Sequence, residues 1–345
     1  MKNRKGVWVA GVLALCLQPV WSEAKPERQV VVYSARNEQL IRPVFEAYNK
    51  ATGVQIEFVT DKEGPLLARL KSEGENTPAD LLLTVDAGNL WQAAQEGLLQ
   101  PVESSSLTEH VPAHLRDPGN QWFGLSVRAR TVFYNPTLVK PQELSTYQAL
   151  ADEKWAGKLC LRTSKKVYNQ SLVAMMIAAE GEAATEKVIK GWVKNLAAPP
   201  FSDDTALLEA IAAGQCAVGI ANTYYFGRLQ KDRPDIPVKV FWPNQPADPK
   251  QQAAIDGVHV NISGAGVTRH AKHAKEAIKL LEWMASSKAQ SLFADDNMEY
   301  PVNPDVKPAA TVSAWGDFLP SVVNLNQAGE LQVKAIQLMD RVGYQ

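Results

Sequence analysis

The sequence predicts an α/β protein with two lobes, because short apolar strands alternate with helical periodicity and the chain is long. Residues 30–33 have an apolar strand pattern, residues 40–48 carry apolar side chains at helical spacing, and residues 54–59 alternate as a second strand. The right-handed crossover of such a β-α-β unit predicts parallel strands. A chain of 345 residues is better divided between two cores than built around one.

The alternation of strands and helices continues through the rest of the chain, as in doubly wound α/β proteins. The predicted strands lie at residues 79–85, 127–134, 158–161 and 216–221, and residues 264–267 precede the last predicted helix. The predicted helices lie around Leu66 to Leu70 and at residues 170–180, 205–213 and 274–287, with glycines at positions 53 and 214 closing two of the helices.

Charge and motifs argue for binding without catalysis. Lys and Arg number 36 against 37 Asp and Glu, and no basic stripe occurs, which argues against nucleic acid as a partner. The sequence has no glycine-rich phosphate loop ending in Lys-Ser or Lys-Thr. It also lacks GxSxG and a histidine beside a strand-end Ser or Cys, so a secreted hydrolase or transferase is the disfavoured alternative.

The first 24 residues have the pattern of a signal peptide. Three basic residues precede an apolar core from Val7 to about Pro19, and Ser22-Glu23-Ala24 follows. The core is shorter than the ~20 residues needed to span a bilayer, and no later segment is long and apolar enough. We therefore expect an exported protein whose mature chain begins near Lys25, with a retained anchor as the alternative.

Export leaves Cys160 and Cys216 in an oxidising compartment. The long separation between them is wrong for a compact metal knuckle, and the chain has no CxxC pair. The two cysteines therefore form a single disulfide or remain as buried thiols.

Polar clusters follow several predicted strands, where open parallel sheets bind ligands. They occupy residues 33–37, 162–171 and 222–225. Tyrosine phenolate is a hard, anionic donor that suits a hard, strongly charged ion, and a trivalent cation can ionise a phenol whose ordinary pKa is about 10. The tyrosines of these clusters therefore favour ferric iron, although tandem tyrosines also occur as ordinary packing or as a stacking wall for an organic ligand.

Residues 158–173 and 221–225 closely resemble the ferric-ion-binding periplasmic proteins of bacterial iron ABC importers. Supporting similarity at residues 32–36, 72–80, 84–88 and 260–266 extends the resemblance over nearly the whole mature chain. It implies a two-lobed periplasmic binding protein fold of type II, each lobe a mixed, mostly parallel sheet flanked by helices, with crossover strands between the lobes. The N-terminal lobe is expected at residues 25–126 plus about 259–305, and the C-terminal lobe at residues 127–258 plus about 306–345.

The resemblance implies that Tyr168, Tyr224 and Tyr225 hold the iron. Many relatives add a histidine or tyrosine after the arginine of the first loop, or a glutamate after the third strand. This chain instead has Asn37 and Glu38 after Arg36, and Val85 at the position of the glutamate. The coordination sphere from protein groups therefore looks incomplete, with Glu38 as one candidate extra ligand.

Related three-tyrosine proteins complete the sphere with a small anion such as carbonate. An arginine near a helix N-terminus can hold such an anion through two parallel hydrogen bonds. The candidate anion-binding residues are Arg36, Arg128, Arg130, Ser34 and Asn37. For the arginines, salt bridges within the protein are the alternative.

The predicted function is a monomeric periplasmic protein, not an enzyme, that delivers ferric iron to an inner-membrane ABC permease driven by a separate ATPase. The alternative cargo is an organic solute such as a polyamine or sugar, stacked on Tyr224, Tyr225 and a tryptophan such as Trp91 or Trp122. Tyr33 ends a strand and is expected to be structural. His259 is expected to be a histidine between the lobes whose hydrogen bonds are satisfied.

Overall fold

A computed structural model describes residues 28–345, except for the side chains of residues 293–296. The predicted signal peptide, residues 1–24, lies outside the described residues. The strands are β1 (Gln29–Ser34), β2 (Gln55–Thr60), β3 (Leu81–Val85), β4 (Phe123–Tyr134), β5 (Leu159–Cys160), β6 (Val218–Asn222), β7 (Lys239–Phe241), β8 (Val260–Val267) and β9 (Tyr300–Pro301).

The helices connect these strands and cover their faces. They are α1 (Glu38–Thr52), α2 (Glu63–Glu73), α3 (Ala87–Gln95), α4 (Ser105–His110), α5 (Val167–Glu180), α6 (Glu182–Lys194), α7 (Asp204–Ala212), α8 (Thr223–Asp232), α9 (Ala274–Ala285), α10 (Ser287–Asn297), α11 (Ala310–Ser313), α12 (Asn326–Glu330) and α13 (Gln332–Arg341). Among residues 28–345, none of these helices is long and apolar enough to cross a bilayer.

Local sequence accounts for the first helix. Asn37 caps α1 by accepting a hydrogen bond from the Gln39 amide at 3.0 Å. Gly53 ends the helix with a φ of 73°, a left-handed conformation that a glycine adopts without steric cost. The apolar positions between these caps pack into the core, and they are Ile41, Val44, Phe45 and Tyr48.

The sheet is mixed, and its strand order is β2-β1-β3-β8-β4-β6-β5. The predicted β-α-β unit is confirmed, because β1 pairs in parallel with β2. Parallel pairing also joins β1 to β3 and β5 to β6. Antiparallel pairs are more numerous than a mostly parallel sheet suggests, because β4 and β8 run against every strand that they contact.

Strand β4 joins two groups of strands. Its first half pairs with β8, and its second half, from Arg130 onward, pairs with β6 and β7. One hydrophobic cluster packs around β1, β3 and β8, and two others pack around β5 and β6. This division agrees with two lobes and a crossover strand, while the residue boundaries of the lobes remain a prediction.

Cys160 and Cys216 form a disulfide, with their Cα atoms 5.8 Å apart. Cys160 ends β5 and Cys216 lies just before β6, so the bond joins neighbouring parallel strands. Both residues are buried. The bond therefore fixes the two strands that lead towards the predicted tyrosine ligands.

We expect the variant with Cys160→Ala and Cys216→Ala to lose about 2–4 kcal/mol of unfolding free energy, because the disulfide restricts the unfolded chain. Urea unfolding of the mature protein measures the loss. A reducing agent should weaken the wild type by a similar amount and leave the double variant unchanged. Equal stability of reduced and oxidised wild type would contradict the expectation.

Candidate metal centre

Tyr168, Tyr224 and Tyr225 meet at one cleft. Tyr168 lies in the first turn of α5, after β5, and the tandem pair lies in the first turn of α8, directly after β6. The hydroxyls of Tyr224 and Tyr168 are 3.3 Å apart, and the rings of Tyr224 and Tyr225 have their centroids 4.3 Å apart. Because β5 and β6 are parallel, both helices begin at the same edge of the sheet.

The tyrosines form one wall of a cleft of about 590 Å³. The opposite part of its lining comes from the loop after β1, the loop after β2, the end of β3, and the turn before β9. The lining residues are Ala35, Arg36, Asn37, Glu38, Leu40, Thr60, Asp61, Lys62, Glu63, Val85, Arg128, Lys166, Tyr168, Tyr224, Tyr225, Arg228 and Glu299. Across the described part of the chain, no group of three or more His, Cys, Asp or Glu residues could hold a metal. Tyrosine oxygens are therefore the distinctive donors of this cleft.

Cationic side chains surround the tyrosine rings. The Lys166 ammonium lies 4.6 Å from the ring centre of Tyr168, and the Arg228 guanidinium lies 5.1 Å from that of Tyr224. Arg128 and Arg162 each lie 5.5 Å from the ring of Tyr168. These positive charges favour the ionised form of a nearby phenol.

Burial acts against ionisation in the apo protein. The pKa of Tyr224 lies well above its ordinary value because burial disfavours the phenolate, and because Tyr168 and Tyr225 lie close by. Arg128 opposes this shift only in part. Burial also disfavours the charge on Arg128, but its neighbours, Tyr168 and Glu299 first among them, raise the pKa of Arg128 above the ordinary value. The site therefore holds Tyr224 as a neutral phenol beside the permanent cation of Arg128.

Arg130 does not line this cleft but lines a small cavity that shares Arg128 and Tyr168 with it, so contact of Arg130 with an anion stays a prediction. Its Nε donates to Asn169 at 2.9 Å, and its Nη1 donates to Asp204 at 3.1 Å and to Asn222 at 3.0 Å. Asn169 follows Tyr168 directly, and Asn222 comes two residues before Tyr224. Arg130 consequently holds both tyrosine-bearing segments in place.

Two further anion candidates have protein partners. Arg36 lines the cleft, but its guanidinium donates to Glu299 at 2.9 Å and to Ser263 at 2.6 Å. Ser34 is buried outside the cleft lining, and its hydroxyl accepts from the Arg36 amide at 3.2 Å. The Ser34 hydroxyl therefore bonds within the loop, and contact of Ser34 with an anion stays a prediction.

Arg128 is the predicted anion residue whose placement suits that role. It lines the cleft and is buried, and its Nη2 donates to the carbonyl of Ile262. Its Nε is buried without a hydrogen-bond partner among the described residues. A buried donor without a partner is costly, so this nitrogen is suited to an acceptor that arrives with the ligand.

Asn37 and Glu38 are exposed and line the cleft. The side-chain oxygen of Asn37 is used in capping α1, and the carboxylate of Glu38 pairs with Arg42 one helical turn later. Val85 also lines the cleft and presents an apolar side chain to it.

The aromatic residues outside this group have structural roles. The Tyr33 hydroxyl donates to Glu73 at 2.9 Å outside the cleft, and burial together with that hydrogen bond raises the pKa of Tyr33 to about 12. Trp122 is fully buried in the core, and Trp91 packs against Gly329. Neither tryptophan lines the cleft, so the predicted stacking wall for an organic cargo is not formed by them.

Several cleft residues were not singled out from the sequence, among them Glu299, Lys166 and Arg228. Arg228 lies four residues after Tyr224 on α8, so helical spacing could have indicated it. Lys166 caps α5 two residues before Tyr168. Glu299 lies 263 positions from its partner Arg36, and no local pattern relates the two residues.

His259 is buried between β4 and the tyrosine wall. Its backbone carbonyl accepts from the Arg130 amide at 3.0 Å, and its ring lines a small cavity with Arg128 and Tyr168. Burial, with Arg130 and Arg128 close by, lowers the pKa of His259 to about 3. The imidazole is therefore neutral at physiological pH. Its Nδ1 is buried without a hydrogen-bond partner among the described residues, so the expectation of a satisfied histidine is wrong for this nitrogen.

This pKa predicts a specific pH dependence of folding. Between about pH 6.5 and pH 3 the unfolded histidine binds a proton that the folded one does not, so stability falls as pH falls through this window. The contribution is at most about 1.4 kcal/mol per pH unit.

Urea unfolding between pH 7 and pH 4 tests this dependence. His259→Gln should lose less stability on acidification than the wild type, whereas His270→Gln, at an exposed position, should follow the wild type. Parallel curves for wild type and His259→Gln would contradict this prediction.

Comparison with known proteins finds similarity to a family of bacterial solute-binding proteins and to proteins named for iron uptake or iron binding. A family model described as bacterial extracellular solute-binding protein matches residues 44–320. Iron uptake protein A1 of Synechocystis is 39% identical over 332 residues, which cover 94% of this chain and 90% of that protein. A Trichodesmium protein solved with iron and citrate superposes with a TM-score of 0.86 at 42% identity, covering 92% of this chain and 100% of that one. The Bordetella ferric binding protein has a TM-score of 0.84 at 37% identity, covering 92% and 99% of the two chains. The fold is that of the type II periplasmic binding proteins.

Proposed function

This chain belongs to the bacterial extracellular solute-binding protein family, and from that premise we propose that it is the periplasmic iron-binding component of a ferric iron ABC importer. The observation that carries the proposal is the convergence of Tyr168, Tyr224 and Tyr225 at one cleft, with two hydroxyls 3.3 Å apart. Relatives at 39–42% identity that are named for iron uptake, or were solved with iron, support the same cargo.

Ferric iron suits this donor set. Three phenolates balance the charge of the ion, and as hard oxygen donors they prefer a hard trivalent cation to softer metals. Binding must release the phenol protons, and the ion itself supplies the field that ionises them. The buried position of Tyr224 keeps it protonated until the ion arrives, so this tyrosine adds no negative charge to the apo cleft.

The surrounding cations support an anion as a further ligand. Once three phenolates have neutralised the iron, Arg128, Lys166 and Arg228 leave the cleft with positive charge close to the tyrosines. Carbonate or another small anion would fill open coordination positions of the iron and accept hydrogen bonds from a guanidinium. We assign the main anion contact to Arg128, whose buried Nε faces no other partner among the described residues.

Delivery of iron follows from the two-lobed architecture. Closure of the lobes about β4 would be favoured by contacts that the ion makes with both walls of the cleft. The closed monomer would then dock on the inner-membrane permease and release its cargo there. Export by the predicted signal peptide, residues 1–24, would place the protein in the periplasm.

Replacement of the tyrosines tests the iron site. Adding ferric iron to the mature protein should produce a visible phenolate-to-iron charge-transfer band, and Tyr168→Phe, Tyr224→Phe and Tyr225→Phe should each weaken or shift it. We expect the loss of affinity to exceed the roughly 10- to 100-fold typical of residues that only support a ligand. Titration of iron followed by absorbance measures both quantities.

Tyr33→Phe is the matched control, because Tyr33 is a buried tyrosine that bonds Glu73 outside the cleft. It should leave the band unchanged. The iron proposal would be wrong if the folded wild type gave no band with or without bicarbonate.

Replacement of Arg128 tests the anion. Arg128→Gln should reduce the dependence of the iron band on bicarbonate and weaken iron binding by about 10- to 100-fold, because a charged donor to the anion is lost. Lys62→Gln removes an exposed cation from the same cleft lining and should keep the bicarbonate dependence of the wild type. A wild-type band that is insensitive to bicarbonate would exclude the anion but leave the tyrosine site intact.

A further inference from the structure

The Arg36 side chain forms a buried cluster at the edge of the cleft. Its Nη2 lies 2.9 Å from Glu299 Oε2, and the side chains of the two residues are only 2% and 5% exposed. Its Nη1 donates to Ser263 at 2.6 Å and to Ser126 at 3.3 Å. The arginine that precedes α1 therefore already holds a carboxylate within the protein.

Glu299 lies in the short turn between α10 and β9, where the backbone is constrained. Met298 before it has a φ of 55°, and β9 begins directly after it. The Ser126 hydroxyl donates to Glu299 Oε2 at 2.5 Å, so the oxygen that bonds Arg36 is also held by β4. Although burial opposes ionisation, Arg36 and Arg128 keep the pKa of Glu299 below its ordinary value. The carboxylate is therefore charged in the folded protein at neutral pH.

The contacts of Glu299 are those of a bound anion. A carboxylate and a carbonate both present planar, negatively charged oxygens to a guanidinium. Glu299 lines the same cleft as Tyr168 and Arg128, and its charge acts on Arg128 as well as on Arg36. An anion that came with the cargo and approached Arg36 would meet this fixed negative charge first.

We propose that Glu299 is a tethered anion that occupies Arg36 and thereby determines where the anion of the cargo binds. Arg36 is then a structural cation, and Arg128 is the arginine that remains for the exogenous anion. This role of Arg128 rests on the proposed function. The occupation of Arg36 by a carboxylate is a property of the apo protein and can be tested without iron.

The first experiment uses chemical rescue of the apo protein. Glu299→Ala removes the tethered carboxylate and leaves room for formate, which carries the same planar group. We expect thermal unfolding of this variant to shift down and formate to raise its Tm by roughly 2–4 °C relative to chloride at equal ionic strength. The wild type should show no such difference.

Glu63→Ala is the matched control, since it removes another carboxylate from the cleft lining that does not bond Arg36. It should behave like the wild type in formate. If formate and chloride have equal effects on Glu299→Ala, the tethered-anion assignment is overturned. If Glu299→Ala does not fold in chloride, recovery of folding in formate supports the assignment, and failure to recover overturns it.

The second experiment measures the anion requirement of iron binding in Glu299→Gln, which keeps the shape of the side chain. Its uncharged amide leaves Arg36 able to hold an exogenous anion, so the bicarbonate concentration for a half-maximal iron band should fall by about tenfold. An unchanged half-maximal concentration, with a normal band, would overturn the proposal. Absence of any band in the wild type would count against the iron site instead, and formate rescue would still decide the role of Glu299.

Discussion

The buried guanidinium of Arg130 is the interaction on which the arrangement of the cleft depends. Arg130 lies on β4 where this strand passes from one group of strands to the other, and it bonds Asn169, Asp204 and Asn222. Two of these partners adjoin the tyrosine-bearing segments, and Asp204 also accepts from the Asn222 amide at 3.2 Å. Removing one partner of a buried ion pair costs about 3–5 kcal/mol, because the remaining charge is left uncompensated.

The network around Arg130 extends to the end of the chain. Asn169 donates to the carbonyl of Arg162 at 2.7 Å and to the Tyr344 hydroxyl at 2.8 Å, and Tyr344 donates to the same carbonyl at 2.6 Å. The disulfide between β5 and Cys216 ties the two strands that precede the tyrosines. Backbone, side chain and covalent constraints therefore act together to fix the tyrosine wall before any ligand binds.

The two sides of the cleft differ in their charged side chains, and this arrangement suits a cation that is delivered with an anion. Arginine and lysine side chains lie close to the tyrosine rings, whereas Glu299 is paired with Arg36 on the other wall. Burial keeps Tyr224 a neutral donor until a metal ionises it. Specificity for a trivalent ion would then come from the need to displace protons from buried phenols such as Tyr224.

The sequence alone indicated strands β1 to β6 and helices α1, α2, α5, α7 and α9, because these depend on periodicity, caps and residues close together in the chain. It did not predict β7, β9 or α8, and the three tyrosines were singled out by the resemblance to ferric-ion-binding proteins. Asn37, Gly53 and the apolar face of α1 are examples in which local chemistry was sufficient. The sequence did not separate the arginines, since Arg36, Arg128 and Arg130 all carry the same charge and were all candidates to contact an anion. Only the tertiary structure gave each arginine its partners: Glu299 for Arg36, Asp204 for Arg130, and the cleft for Arg128. Those partners lie far apart in the chain, and a buried charge takes its role from the groups that folding brings within hydrogen-bonding distance.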